Sequence, residues 1–188
     1  MEYQTLYFEQ PGPENTGATI RVVKEWADRL NLSDIVVATT SGATGVLAAE
    51  QLQRHRVLVV SHAAGFSREN EQEMLPEHRA KIEGFGGRIL TTQHAFGGIN
   101  RAVRFKFNTY ELDEIIANAL RVLGQGAKVA VEIAMMAADA GLLRTDRDVL
   151  AIGGTNSGAD TALVVKPANT FRFFDLRIRG VLCKPWTF

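Results

Sequence analysis

A run of hydroxyl and glycine residues, Thr39 to Gly45, has the composition of a loop that binds an anion. It follows a short apolar stretch, Ile35 to Thr39, and leads into a segment of helical period. The first N–H groups of a helix lack intrahelical acceptors and carry partial positive charge, so a phosphate can bind there without lysine or arginine. Gly42 would let the backbone approach such a ligand closely, while the hydroxyls donate hydrogen bonds. The same residues would equally cap a helix and turn the chain, and the pattern leaves both interpretations open.

A second polar glycine loop, Gly153 to Asp160, follows the apolar stretch Val149 to Ile152. In an open α/β sheet the loops at the carboxyl ends of parallel strands converge on one crevice, so the two loops are predicted to be neighbours. A flexible hairpin connection to the stretch Ala162 to Val165 is the alternative. Neither the dinucleotide-binding spacing nor the lysine of a P-loop is present.

Three side chains are candidates for proton transfer. His62 and His94 each follow a predicted strand, where they would flank a ligand or act as acid and base, or serve only as hydrogen-bonded structural residues. Glu132 is a carboxylate in an otherwise apolar helix, and Asp139 lies seven residues on, nearly on the same face. Burial would raise the pKa of such a carboxyl group, but capping or pairing with arginine also explains it.

The segment His94 to Phe107 interleaves basic and aromatic residues, a pattern that can bind nucleic acid or a flavin phosphate. A solvated face or a subunit contact is the alternative. The polar stretch Phe66 to Glu77 is predicted to be a long loop that could shield a ligand from water.

The elements that must position these residues alternate between short apolar runs and segments of helical period. This alternation is typical of β-α-β units around a largely parallel sheet. The predicted strands are Leu6 to Phe8, Ile35 to Thr39, Arg56 to Ser61, Arg88 to Thr92, Val149 to Ile152, Ala162 to Val165 and Leu176 to Cys183, the last an edge. The first predicted helix is capped by Asn15 or Thr16, the second opens at Ser41 to Gly45 and runs to about Gln53, and the third lies near Pro76 to Glu83. Two more cover Tyr110 to Leu123 and Lys128 to Ala140. The last of these is apolar nearly all round, which places it in the core or at a subunit interface around Met135 and Met136.

Composition limits the classes of function. The 188 residues carry 21 Lys and Arg against 21 Asp and Glu, so no net field attracts nucleic acid or an anionic membrane. The N-terminal ten residues do not resemble a signal peptide, and we expect a cytoplasmic protein of one domain, residues 1–188. The single cysteine, Cys183, offers no cluster for a metal and is predicted to be a small apolar residue of a strand.

Two segments together resemble a known family. Residues Glu14 to His62, including ATTSGATG at Ala38 to Gly45, are similar to the opening of the pyruvate kinase C-terminal domain. Residues Ala134 to Pro167 are similar to the last helix, strand, glycine loop and strand of that domain, in the same order. The chain also resembles small stand-alone proteins with a pyruvate-kinase-like α/β domain, through PG-x-ENT, SGATG, EI-x-MAADAG and GG-x-x-SGADTA.

The resemblance implies a three-layer α/β/α sandwich with a mostly parallel sheet and an antiparallel strand near the C-terminus. It implies that Thr39, Thr40, Ser41, Gly42 and Thr44 receive a phosphate, with the loop from Thr155 to Gly158 covering the ligand. The resemblance does not extend to the catalytic barrel of that enzyme, so it implies ligand binding and gives no support to pyruvate kinase activity. Because pyruvate kinase uses this domain for subunit contacts, the resemblance also implies a homo-oligomer. The covering loop lacks an arginine, which favours a ligand with one phosphate, such as flavin mononucleotide (FMN), or a sugar phosphate. The predicted ligand-binding residues are Thr39, Thr40, Ser41, Gly42, Ala43, Thr44, Gly45, Gly65, His94, Gly153, Gly154, Thr155, Asn156, Ser157 and Gly158.

Overall fold

A computed structural model describes residues 4–188 of the chain. Within these residues there are seven strands and six α-helices: the first four strands alternate with three helices, as the sequence predicts, and three helices and then three strands follow. The strands are β1 (Leu6–Phe8), β2 (Asp34–Ala38), β3 (Arg56–Ser61), β4 (Arg88–Thr91), β5 (Val149–Gly153), β6 (Thr161–Lys166) and β7 (Arg177–Pro185). The helices are α1 (Thr16–Leu30), α2 (Ala43–Gln51), α3 (Pro76–Gly84), α4 (Ile99–Phe107), α5 (Leu112–Leu120) and α6 (Gln125–Asp139), with short 3-10 helices at Pro13–Asn15, Arg121–Leu123 and Thr170–Asp175.

All seven strands form one sheet in the order β1-β7-β6-β5-β2-β3-β4. Strand β6 runs antiparallel to both of its neighbours, and every other pair is parallel. The predicted fold class, with its antiparallel strand near the C-terminus, is therefore confirmed. The prediction that the last strand forms an edge was wrong, because the short strand β1 adds alongside it and pairs Leu6 with Cys183.

Helices cover both faces of the sheet and make two hydrophobic layers. One layer packs α1, α2 and α3 on Ile35, Val37 and Val59, and the other packs α5 and α6 on Val36, Leu58 and Val60. These strand residues alternate between the two faces, as side chains of a strand must. A sheet covered on both sides explains why the central strands are apolar almost throughout.

Helix α6 belongs to the core of the chain itself. Met135 and Met136 are 1% and 3% exposed, so they do not offer a surface to a second subunit. Cys183 is also fully buried, and burial raises the pKa of its thiol to about 12, which leaves it a small apolar residue of β7.

Two local predictions need correction. Asn15 occupies the N-cap position of α1 but does not cap it, because its side-chain amide donates to the carbonyl of Gln10. Helix α4 was missed, because its basic and aromatic residues were interpreted as a surface pattern and not as a helix; Phe105 and Phe107 are exposed. Within residues 4–188 no helix is long and apolar enough to cross a membrane.

Candidate ligand-binding site

A crevice of about 830 Å³ lies at the edge of the sheet where the parallel strands end, which we call the carboxyl edge. Its walls include residues that directly follow β2, β3 and β5, His94 in the loop after β4, and the beginnings of α2 and α6. Crevices in this position are the usual ligand sites of open α/β sheets. The two glycine loops predicted to be neighbours both contribute to the lining.

The loop between β2 and α2 is shaped by its own side chains. The N–H of Gly42 donates to Thr39 Oγ1 over 3.1 Å, and Gly42 adopts a φ of 99°. A Cβ at this position would lie 2.5 Å from the Cβ of His78, whose ring nitrogen Nδ1 lies 2.8 Å from the carbonyl oxygen of Ser41. Glycine is therefore required by the turn and by His78, rather than by close approach of a ligand.

This loop leaves several hydrogen-bond donors free. Within residues 4–188, the hydroxyls of Thr40, Ser41 and Thr44 form no hydrogen bond, and all three residues line the crevice. The first N–H groups of a helix have no intrahelical acceptor, and at the beginnings of α2 and α6 no capping side chain accepts from them. The crevice therefore combines hydroxyls with the positive ends of two helix dipoles.

The loop after β5 is organised by a buried carboxylate that the sequence analysis did not single out. Asp160 is fully buried and accepts hydrogen bonds from the N–H groups of Gly12 and Thr155, at 3.3 and 3.1 Å, and from the hydroxyl of Thr161. Its place next to a run of glycines was the only signal in the sequence. Asp160 thus fixes the end of β5 to the segment before α1.

The glycines of this loop allow its backbone to pack closely against neighbouring segments. A Cβ on Gly153 would lie 2.2 Å from the carbonyl oxygen of Gly126 in α6, and one on Gly158 would lie 2.4 Å from Pro13. The loop therefore wedges between the beginnings of α1 and α6. Its polar residues Asn156 and Ser157 remain in the lining of the crevice.

The predicted ligand-binding residues divide into two groups. Those that line the crevice are Thr39, Thr40, Ser41, Ala43, Thr44, His94, Gly154, Asn156, Ser157 and Gly158. Those outside the lining are Gly42, Gly45, Gly65, Gly153 and Thr155. Gly45 packs instead against β3 and α3, where an added Cβ would lie 2.7 Å from a methyl group of Val59.

Four basic side chains complete the walls, and none was among the predicted site residues. They are Arg101, Arg104, Arg121 and Lys128. Arg101 and Arg104 lie three residues apart on α4, so the helical period of the basic-aromatic segment was the signal that could have found them. Arg121 and Lys128 carried no such signal, because only the approach of α6 to the sheet brings them to the crevice.

Two of these cations are paired with buried carboxylates. Arg104 Nε lies 3.0 Å from Glu114 Oε1, and Lys128 Nζ contacts Glu132 Oε2. Glu132 Oε1 also accepts the N–H of Phe96 over 3.1 Å. Pairing with a cation thus accounts for Glu132, although the cation is Lys128 and not the arginine that the sequence analysis considered.

Asp139, the other carboxylate of that helix, lies away from the crevice. It accepts hydrogen bonds from the N–H and hydroxyl of Thr170 and from the side chain of Asn169. It therefore caps the short helix at Thr170–Asp175, and the structure gives it no part in the site.

The three candidates for proton transfer do come together in the crevice. The rings of His62 and His94 lie 5.3 Å apart, and His94 Nδ1 lies 3.9 Å from Glu132 Oε1. The N–H of Ala63 donates to His94 Nε2 over 3.3 Å, which leaves Nδ1 to carry the proton of the neutral ring. Burial lowers the pKa of His94, and the Glu132 carboxylate opposes that shift only in part.

The long polar loop is attached to this cluster. His62 Nδ1 lies 2.7 Å from Glu73 Oε2, and the Ser67 hydroxyl donates to Glu73 Oε1. Burial of Glu73 is outweighed by these two hydrogen bonds, so its pKa lies below the ordinary value. Phe66 stacks between the ring of His94 and the guanidinium of Arg101, at 4.8 and 4.5 Å. The loop therefore holds an aromatic side chain against one wall of the crevice.

Residues 17–165, most of the chain, match the family model described as the pyruvate kinase alpha/beta domain. The chain belongs to this family. Its motifs at Ser41 to Gly45 and Gly153 to Ala162 lie within the matched range, whereas β7 lies beyond it.

Among solved structures, similarity extends to a pyruvate kinase from Cryptosporidium parvum in complex with ADP. The identity is 16% over 79% of this chain and 22% of that chain, with a TM-score of 0.39. An O-ureido-L-serine synthase shows 18% identity over 53% of this chain and 31% of that chain, with a TM-score of 0.32. The chain thus spans about a third or less of the length of these proteins.

Proposed function

We propose that the chain binds a small phosphorylated ligand in the crevice at the carboxyl edge, in the role of a sensor or carrier. The phosphate would lie on the loop after β2, where the hydroxyls of Thr40, Ser41 and Thr44 have no partner within residues 4–188. The uncapped first turn of α2 adds backbone N–H groups at the same point. This convergence of free donors is the observation that carries the proposal.

The electrostatics of the walls support an anionic ligand. Arg101, Arg104, Arg121 and Lys128 line the crevice against only two carboxylates, Glu114 and Glu132. Both carboxylates are already engaged by a cation of the wall. A phosphate dianion would therefore meet a site whose balance of charge is positive.

The size of the crevice favours a ligand larger than inorganic phosphate. About 830 Å³ is within the range of ordinary cofactor sites, so the body of FMN or a sugar phosphate fits by volume. Arg101, Phe66 and His94 would face that body. Thr155 and Gly153 would act through the shape of the loop, since they do not line the crevice.

The test compares FMN with riboflavin, which differ only in the phosphate. We expect FMN to bind at least about tenfold more tightly, since hydrogen bonds to a charged group are worth about 1.5–3 kcal/mol. Fluorescence quenching of the flavin on titration measures both affinities. An absorption spectrum of the purified protein, followed by analysis of molecules released on denaturation, shows whether a ligand was already bound.

Two variants sharpen this test. Thr44→Val removes a lining hydroxyl and keeps the shape, and it should weaken FMN but not riboflavin. Thr187→Val, at an exposed position outside the crevice, is the matched control and should change neither affinity. If neither FMN nor sugar phosphates bind to or stabilise the wild-type protein against heat, the proposal is wrong.

An enzyme acting on a phosphorylated metabolite is the second candidate. The specific observation is that His62, His94 and Glu132 all line the same crevice. A crystal structure with a retained ligand decides it, because one of the three groups must lie within hydrogen-bond reach of a reactive ligand atom other than the phosphate. If all three contact only protein, the enzyme hypothesis fails.

Homo-oligomer formation is also part of the proposal, although not through α6. The side chains of Ile99, Phe105 and Phe107 on α4 are 78%, 70% and 69% exposed, which is unusual for apolar residues grouped on one helix. Sedimentation at micromolar concentration tests this, and a monomer at all concentrations would contradict it.

A further inference from the structure

A second cavity lies at the opposite edge of the sheet, where the parallel strands begin. It has a volume of about 360 Å³. Its lining consists of Thr145, Lys166, Pro167, Ala168, Asn169, Arg172, Asp175, Arg177 and Arg179, and we call it the basic groove. The groove shares no residue with the crevice, so ligand binding in the groove is independent of the proposed function.

The register of the sheet brings two of the cations face to face. Lys166 at the end of β6 is the direct cross-strand partner of Arg177 at the start of β7. Like charges in this position repel each other and destabilise the pair. Arg179 lies in the register irregularity two residues on, between the pairs Val165–Ile178 and Val164–Gly180.

Little in the groove neutralises these charges. Within residues 4–188, Arg179 is the one groove cation with a carboxylate within 4 Å, namely Asp148 at 3.4 Å. Asp175 lines the groove but pairs with none of the four cations. The side chains of Lys166 and Arg172 form no hydrogen bond or ion pair with any described residue.

One of the cations is held in place without being neutralised. The guanidinium of Arg177 donates to the carbonyl oxygens of Phe174 and Leu176. These bonds fix its orientation and leave its charge unpaired. A fixed guanidinium beside a directly opposed ammonium is a good receptor for a phosphate or a diphosphate.

We propose that the basic groove binds a small anion with two or more negative charges, such as the diphosphate part of a metabolite. The anion would bridge Lys166 and Arg177 and relieve their repulsion, with Arg172 and Arg179 at its ends. The groove is too small and carries too few cations for a nucleic acid strand, and the chain as a whole has no net charge to attract one.

The experiment is a titration of the wild-type chain with inorganic pyrophosphate, followed by backbone amide NMR. Ionic strength is held constant with sodium chloride and no divalent metal is present. We expect saturable shifts at residues 166–179. These shifts are resolved from any at residues 40–44, so binding in the crevice is recognised separately.

Two variants carry the test. Lys166→Gln combined with Arg177→Gln should weaken pyrophosphate binding at residues 166–179 by at least about tenfold, because it removes two charge-assisted partners. Lys24→Gln removes an exposed cation on α1, outside the groove, and should leave the affinity unchanged.

Thermal unfolding separates binding from a structural role. Without pyrophosphate, Lys166→Gln should unfold at the same or a higher temperature than the wild type, because it relieves repulsion. With pyrophosphate, the wild type and Lys24→Gln should gain stability equally, and the double variant should gain clearly less. The proposal is overturned if shifts occur at residues 40–44 alone, if chloride reproduces them, or if the double variant binds as tightly as the wild type.

Discussion

The two edges of the sheet present positive charge in different ways. At the carboxyl edge, the crevice combines unpaired hydroxyls and the first turns of α2 and α6 with cations that are mostly engaged by neighbours. At the other edge, the basic groove is built from side chains on β6, β7 and the short helix between them, and most of its charge is unpaired. The first site depends on how closely backbone segments approach, and the second on which side chains share a register.

This difference explains why charge counting reveals neither site. The hydroxyls and helix N-termini of the crevice add no charged residue to the composition, and two of its four cations are paired with Glu114 and Glu132. The cations of the groove are balanced by acidic residues elsewhere, since the chain has 21 of each sign. Only their positions on paired strands distinguish these cations from ordinary charged residues on a solvated surface.

Close backbone packing should be essential for stability at the crevice and dispensable at the groove. Gly153→Ala would place a Cβ 2.2 Å from the carbonyl oxygen of Gly126, so we expect the free energy of unfolding to fall. The expected loss is about 3 kcal/mol, since neither backbone can yield easily. Urea denaturation measures it.

Gly180→Ala on β7 is the control at the groove edge. Its nearest neighbour would be a methyl group of Val164 at 3.9 Å, an ordinary contact, so stability should change by no more than about 0.5 kcal/mol. Equal losses at the two positions would contradict the comparison.

A carboxylate at the crevice should also contribute more to the free energy of unfolding than a carboxylate at the groove. Asp160→Ala leaves the N–H groups of Gly12 and Thr155 without their buried acceptor, and we expect a loss of about 2 kcal/mol in the free energy of unfolding. Asp148→Ala removes a partly exposed partner of Arg179 and should change stability by less than about 0.5 kcal/mol. Chemical denaturation of both variants ranks them, and the reverse order would refute this view of the crevice.

Salt should weaken pyrophosphate binding in the groove more than FMN binding in the crevice. Raising sodium chloride from about 50 to about 300 mM is expected to weaken pyrophosphate binding at residues 166–179 about tenfold, because exposed charges are screened. FMN binding in the crevice should weaken by about threefold or less, since peptide N–H groups and buried partners carry more of it. Calorimetric titration at the two salt concentrations measures both, and an equal dependence would remove the distinction.

The smallest expected effect is a pH dependence of the free energy of unfolding that arises from His94 in the crevice. Burial lowers the pKa of His94 in the folded chain, so the unfolded chain binds more protons as pH falls below about 6.5. The free energy of unfolding should therefore decrease from about pH 6.5 downwards, until the folded pKa is reached. A single proton limits the slope to about 1.4 kcal/mol per pH unit.

His94→Gln should flatten this dependence between about pH 7 and the folded pKa. The lining of the basic groove contains no histidine and should contribute nothing in this range. Urea denaturation at several pH values checks it, and an unchanged slope in the variant would show that His94 is not the group responsible.

Much of the fold could be predicted from local sequence patterns. The central strands were placed within one or two residues because each is a short apolar run bounded by polar or glycine residues, as at Ile35 to Thr39 and Val149 to Ile152. Helix α4 was missed because its basic and aromatic residues were interpreted as a binding or contact surface, and its apolar residues face solvent rather than the core. The position of β7 was misjudged because the partner that removes its edge, β1, lies at the other end of the chain.

Only part of the candidate site could be predicted from the sequence. Loops that follow strands could be assigned to one crevice, since all parallel strands end at the same side of a sheet. Arg121, Lys128 and Asp160 could not be assigned, because their roles arise from contacts between segments far apart in sequence.

The sequence by itself determined the order of strands and helices, the turn at Gly42 and the glycine loop after β5, because periodicity and backbone freedom are local properties. The tertiary structure alone decided which cations face the crevice, why Gly153 admits no side chain, and that Lys166 meets Arg177. Those facts depend on distances between segments that the chain brings together only when it buries its apolar residues in two layers around one sheet.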